Sequence, residues 1–208
     1  NLIFFFFFYI FALELKNFKI MITTETKEKN LMLFFKKLSQ LGIDTARLEE
    51  TYGTAIMNGS FTNSNEFGNA YEGSLLEIVL KTLTPYAVKL NELLPEGKRV
   101  DKDTLVKICL LHQLAKAIRL IPNDNAWEIE KRGLAYKYNS DLPSIRTGLH
   151  SLIMCQVCGI NFSTEEAEAM TVNDRDLTDD QARWHSSIMA TIVRQASELT
   201  YLTLNDRK

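Results

Sequence analysis

The feature that most constrains the fold is an apolar pattern of helical period between Asp101 and Pro122, in the segment DKDTLVKICLLHQLAKAIRLIP. Its apolar side chains recur three or four residues apart, which places them on one face of an α-helix. These side chains belong to Leu105, Ile108, Leu111, Ala115 and Ile118. Asp is a favoured residue at a helix N-cap, and Pro cannot continue a helix because it lacks the backbone N–H donor. The pattern therefore predicts a long buried helix over residues 101–121.

Similar patterns elsewhere predict further helices, so we expect an all-α fold. They cover residues 27–41, 44–57, 74–94, 144–158, 163–172 and 178–202. Pro85 lies inside one of these segments and is expected to kink or break the helix. Ser163 and Glu166 have the spacing of a capping box. By contrast, residues 122–143 lack helical period, and the alternation in WEIEKRGLAYKYN predicts a small β-hairpin or an irregular, ordered insertion.

The first twenty residues differ from the rest of the chain. The run NLIFFFFFYIFALEL is shorter than the roughly 20 residues of a membrane span, and it lacks the basic region and cleavage site of a secretory signal. One interpretation is an upstream non-coding region, with translation beginning at Met21; the other is a segment that touches a membrane or a partner. We divide the sequence into this leader (1–20), N-terminal helices (21–64) and a helical domain (65–208). We expect no membrane contact unless the leader is expressed.

Charge and cysteine content exclude several classes of protein. The chain has 24 Lys and Arg against 26 Asp and Glu, a net charge of −2, which does not provide the basic excess of a general nucleic-acid binder. Three cysteines are too few for a disulfide framework, so we expect a reducing, cytoplasmic location. Cys155 and Cys158 form a CxxC on one predicted helix with no second pair nearby. We therefore expect them to pack in the core rather than to bind zinc.

Two segments carry a family resemblance: YEGSLLEIVLKTL at 71–83 and LLHQLAK at 110–116. Together they resemble small phage and mobile-element members of the HD-domain superfamily of metal-dependent phosphohydrolases, whose corresponding helices are similar to YEGGLLEHSL and LLHDLCK. Weaker matches extend the resemblance over residues 65–202. It implies an HD-domain-like helical bundle with an insertion at about 122–143. It also implies a phage or mobile-element origin, with a location in the host cytoplasm or in the virion.

The resemblance further implies a metal site, and this sequence lacks most of its ligands. In the superfamily a first histidine, a His–Asp doublet and a distant aspartate hold a metal that activates water. The corresponding positions here are Ile78, His112 with Gln113, and, by a looser alignment, Ser197. Isoleucine has no donor atom, and a neutral amide is a poorer ligand than a carboxylate for a hard divalent cation. One imidazole does not suffice where metal sites use about three or four protein ligands.

We therefore predict a catalytically inactive HD-like domain without a metal or other cofactor, which acts as a binding or structural module. Its partner would be a protein or a nucleotide. His112 is then expected to be a buried histidine, hydrogen-bonded to Gln113 or to a backbone carbonyl. The residues that would contact a phosphate group or a partner are Lys116, Lys131, Arg132 and Arg146, since basic and aromatic side chains are interleaved in this part of the sequence.

The alternative prediction is a metal-dependent phosphohydrolase, a nucleotidase or phosphodiesterase, with a rearranged metal site. Its ligands would come from His112, His150 and His185 and from the aspartates of residues 174–180. Nothing in the spacing of these residues requires such a site. An acidic run between two helices is otherwise typical of a solvated turn that caps a helix.

Overall fold

The structure is a computed structural model that describes residues 22–65, 69–174 and 186–205. Within these ranges the chain is mostly helical, with one two-stranded antiparallel sheet, which confirms the all-α class with a small hairpin. The α-helices are α1 (Thr24–Gln40), α2 (Ala46–Asn58), α3 (Ser74–Ile78), α4 (Thr84–Glu92), α5 (Lys102–Leu111), α6 (Lys116–Arg119), α7 (Ala126–Arg132), α8 (Thr147–Val157), α9 (Thr164–Thr171) and α10 (Ile188–Asn205). The strands are β1 (Leu120–Pro122) and β2 (Tyr136–Tyr138).

One apolar core unites the helices from both ends of the described chain. Phe34 of α1 and Leu48 of α2 are fully buried in the same cluster as Leu75 of α3, Ile108 of α5 and Val193 of α10. Burial of such a side chain contributes about 1.5–3 kcal/mol relative to exposure. Both N-terminal helices therefore share their core with the predicted HD-like region.

The long helix predicted over residues 101–121 ends earlier than expected. Asp101 caps it as predicted, because its carboxylate accepts the Thr104 N–H at 2.8 Å. The helix ends at Leu111, and a short turn leads into α6 and then β1. The Ala115 N–H, which would continue the helical ladder, donates instead to the Ser151 hydroxyl of α8 at 2.9 Å. A tertiary contact thus replaces a helical hydrogen bond. The prediction of one continuous helix is wrong after Leu111, although Lys116–Arg119 is again helical.

Pro85 does not break its helix. The chain stays helical from Ser74 to Glu92, with a π-helical turn at Val79–Leu83 between α3 and α4. In a regular α-helix the ring of Pro85 would clash with the carbonyl four residues earlier. The π-helical turn, whose hydrogen bonds span five residues, directly precedes α4, and Pro85 is the second residue of α4.

The insertion is part sheet and part helix. β1 pairs with β2 in the register Leu120↔Tyr138 and Pro122↔Tyr136. The alternating WEIEKR segment between them, predicted as strand or loop, forms α7 instead. The Asn125 side chain accepts the first N–H groups of α7, and Gly133 ends the helix at a positive φ of 62°. These capping groups outweigh an alternation of only a few residues.

The remaining helices follow their local signals where the structure describes them. The predicted capping box is present, since the Ser163 hydroxyl accepts the Glu166 N–H and the Glu166 carboxylate accepts the Ser163 N–H. α10 begins at Ile188, and most of the segment predicted to precede it lies outside the described residues. The same holds for the leader at 1–20. Among the helices that the structure describes, none combines the length and the apolar character needed to cross a membrane.

Candidate functional site

His112, at the end of α5, is fully buried, and both its ring nitrogens face protein oxygens. Nδ1 lies 3.1 Å from the Ile108 carbonyl oxygen, and Nε2 lies 3.3 Å from the Ser197 hydroxyl of α10. A carbonyl only accepts, so Nδ1 carries the proton and Nε2 is left as an acceptor beside the Ser197 hydroxyl. Burial lowers the pKa of His112 to about 4, which keeps the ring neutral near pH 7. The carbonyl partner is one of the two partners expected from the sequence.

Ser197 connects His112 to the surface. Its hydroxyl accepts the Asn173 side-chain amide at 2.9 Å and lies 2.9 Å from the Val193 carbonyl. A hydroxyl has one proton, so Ser197 donates to Val193 or to the imidazole at any one time. The structure thus brings together two of the four positions that the resemblance assigns to the metal site, including the one that was aligned only loosely.

The other two positions do not complete a donor set around the imidazole. Ile78 is buried in the apolar core. Gln113 is also buried, and it lines a cavity together with Ser197 and Asn173. In the part of the chain that the structure describes, no group of three His, Cys, Asp or Glu side chains is placed to hold a metal ion.

The acidic residue that the structure describes from the 174–180 run caps a helix. The Asp174 carboxylate accepts the Gly148 N–H at 3.0 Å and the Leu149 N–H at 2.7 Å, at the N-terminus of α8. Aspartate at a helix N-terminus is favoured by both the free N–H groups and the helix dipole. His185 and residues 175–180 lie outside the described residues, and His150 is buried in the first turn of α8.

A cleft opens beside the buried histidine, and we call it the Lys116 cleft. It comprises two adjoining cavities of about 390 and 280 Å³ that share the lining residues Lys116, Tyr138, Thr147 and Tyr201. The larger cavity also has polar walls from Gln113, Asn173, Asp174, Arg194, Ser197 and Glu198. The smaller one is also lined by Phe61, Thr62, Asn63, Arg119 and Leu120.

Lys116 places a buried charge where the two cavities meet. The residue is only 8% exposed, and its ammonium donates to the Phe61 carbonyl at 2.9 Å and to the Tyr201 hydroxyl at 2.7 Å. It also lies 3.8 Å from the centre of the Phe61 ring. These partners are all neutral, and none of the ion pairs among the described residues includes Lys116. A buried charge is normally compensated by an opposite charge.

The other three predicted contact residues do not line the cleft. Lys131 and Arg132 are exposed on α7, where Arg132 pairs with Glu128 at 3.3 Å. Arg146 is exposed before α8. The structure instead places Arg119 and Arg194 at the cleft.

The sequence contained a signal for only one of these two arginines. Arg119 follows Lys116 by three residues in a helical segment, a spacing that puts two side chains on one side. Arg194 comes from α10, and no local pattern links it to Lys116.

The cysteines behave as core residues. Cys109, Cys155 and Cys158 are reduced and buried. Burial raises the pKa of Cys155 to about 12 and also raises that of Cys158. Protonated thiols are poor metal ligands and poor nucleophiles near neutral pH.

Comparisons of this chain with protein-family models, with curated proteins and with solved structures found no match. The relationship to the HD-domain superfamily stays a prediction from the residues quoted above.

Proposed function

We propose that the protein is a catalytically inactive HD-like domain that acts by binding a small ligand, with a nucleotide as the first candidate, in the Lys116 cleft. The observation that carries this proposal is the contrast between the surroundings of His112 and those of Lys116. His112 is enclosed and bonded at both nitrogens, whereas Lys116 presents a charge without a carboxylate partner to an open cleft. The protein therefore has a polar cleft, but the His112 imidazole does not line it and contacts only protein oxygens.

Catalysis by the superfamily's chemistry would require rebuilding the surroundings of His112. A metal bound at Nε2 would have to displace the Ser197 hydroxyl, and Ile78 would contribute no donor atom. A catalytic metal needs about three protein ligands. Asp174, one residue of the alternative metal set, already satisfies two backbone N–H groups of α8. These contacts favour binding over metal-assisted hydrolysis.

The dimensions and chemistry of the cleft suit a small polar molecule. The larger cavity, of about 390 Å³, lies in the range of typical ligand sites, which is about 300–1,000 Å³, and the smaller one, of about 280 Å³, lies just below it. Tyr138 is 63% exposed at the cleft, so its ring is available to stack on a flat group. The polar groups of the larger cavity can donate to and accept from an uncharged part of the ligand.

Thermal shift and isothermal titration calorimetry with nucleotides and phosphorylated sugars test this proposal. We expect at least one of these compounds to stabilise the protein and to bind more weakly to R194Q and Y138A, which change the cleft. K131Q, on the exposed face of α7, is the matched control and should bind normally. Stoichiometric metal in the purified protein, with phosphohydrolase turnover that is lost in H112A, would support the alternative enzyme instead.

The phage or mobile-element origin, with a location in the host cytoplasm or in the virion, is proposed on the family resemblance. Mass spectrometry of purified virus particles tests the virion location directly.

A further inference from the structure

Arg119 has an unsatisfied donor beside the smaller cavity of the Lys116 cleft. Its Nε is buried and has no hydrogen-bond partner among the described residues. Its guanidinium carbon lies 6.0 Å from the centre of the Tyr138 ring, a distant contact that satisfies no N–H group. Leaving a buried donor of a charged group unsatisfied is unfavourable, so the described residues do not fully satisfy the guanidinium of Arg119.

The smaller cavity carries two cationic side chains and no compensating charge. Arg119 and Lys116 both line it, and none of the described residues around it is Asp or Glu. The two carboxylates of the cleft, Asp174 and Glu198, line the larger cavity. Asp174 caps α8, and Glu198 lies 4.0 Å from Arg194. The positive charge is therefore concentrated at one end of the cleft.

We propose that Arg119 and Lys116 together hold an oxyanion group of the ligand, a phosphate or a carboxylate, in the smaller cavity. This inference rests on the proposed binding function and specifies which end of the cleft takes the charged group. A guanidinium donates in a planar fork that matches two oxygens of such a group. The anion supplies the negative charge that the two cations lack among the described residues around the smaller cavity. The Tyr201 hydroxyl, which accepts from Lys116, has its own proton left to donate.

His150 provides an internal reporter of this site. Its Nδ1 is buried without a hydrogen-bond partner among the described residues. Burial and then the charge of Arg119 hold the pKa of His150 below its usual range. An anion bound to Arg119 offsets that charge, so occupancy should raise the pKa of His150.

The test is titration of the full-length protein with inorganic phosphate and, separately, with acetate at constant ionic strength, with chloride as the reference salt. Binding is followed by the NMR signals of His150 and by the melting temperature. R119M removes the charge and the unsatisfied Nε without breaking a described side-chain hydrogen bond, and R119K keeps the charge without the fork. R132M, which changes an exposed arginine outside the cleft, is the matched control.

We expect saturable binding of at least one anion with a dissociation constant on the order of 1 mM. Loss of a charged hydrogen bond should weaken binding about tenfold or more in R119M, with an intermediate loss in R119K and no change in R132M. The pKa of His150 should rise on saturation in the wild type and not in R119M. Whichever of the two anions binds shows whether the oxyanion group of the ligand is a phosphate or a carboxylate.

Binding that is unchanged in R119M would overturn the proposal, and so would the absence of saturable binding of either anion. If neither anion binds but a larger ligand still requires Arg194, only the oxyanion assignment fails. If none of the nucleotides and phosphorylated sugars binds, the proposed binding function fails as well.

Discussion

The buried imidazole of His112 should make the stability of this protein depend on pH in a way that one substitution removes. Burial lowers its pKa from 6.5 to about 4 in the folded chain. Between these values the unfolded chain takes up a proton that the folded chain does not. Protonation therefore favours unfolding, so this contribution to stability is complete above pH 6.5 and is lost as the pH falls towards 4.

The size of the effect follows from the two pKa values. A tenfold difference in proton affinity corresponds to about 1.4 kcal/mol, so the fall from 6.5 to about 4 corresponds to about 3.5 kcal/mol of unfolding free energy, of which about 3 kcal/mol is lost by pH 4. That is a large part of the roughly 5–15 kcal/mol by which domains are usually stable. H112L removes the titrating group and keeps an apolar side chain at a buried position.

Urea denaturation at several pH values from 7 to 4 measures this contribution. The wild type should lose about 3 kcal/mol more than H112L over this range. Asp101 and Asp124, whose pKa values are lowered by hydrogen bonds from Thr104 and Lys137 respectively, contribute equally in both proteins. H150Q serves as a control, because it removes the other described histidine whose pKa is lowered. Equal pH dependence in the wild type and H112L would refute the reasoning, because it would show that His112 is not held neutral by burial.

Three further predictions address the fold and the family resemblance. R119M should stabilise the ligand-free protein by about 1 kcal/mol, because it removes a buried donor without a partner. The melting temperature measures this effect, with R132M as the control. S197A should lower the free energy of unfolding in urea by about 1–3 kcal/mol, because the buried imidazole and the Asn173 amide lose the hydroxyl that they contact. S39A, on the exposed face of α1, should change it by less than about 0.5 kcal/mol. The triple variant I78H, Q113D and S197D should bind Mn²⁺ in calorimetry if the mapping onto the HD-domain metal site is right. A folded triple variant without metal affinity would count against that mapping.

Local signals were sufficient for the beginnings of several helices. Asp101 and the Ser163–Glu166 pair cap their helices as predicted, because a capping hydrogen bond joins residues only two or three positions apart. The apolar period also predicted which side chains enter the core, including Leu105 and Ile108. In WEIEKR the local signals conflict, because the alternation predicts a strand whereas Asn125 and Gly133 are typical of the two ends of a helix. The structure follows the capping residues.

The sequence by itself thus determined the helical class, the caps and the apolar faces of this protein, together with the missing donor at Ile78. Only the tertiary structure decided that α5 ends where Ser151 accepts the Ala115 N–H, and that Ser197 meets His112 across 85 positions of sequence. It also decided that Arg119 and Arg194, rather than the cations of α7, accompany the predicted Lys116 at the cleft. The physical reason is that caps and helical period depend on neighbours within about four residues, whereas a cleft is formed by side chains from distant helices whose contacts have no fixed spacing along the chain.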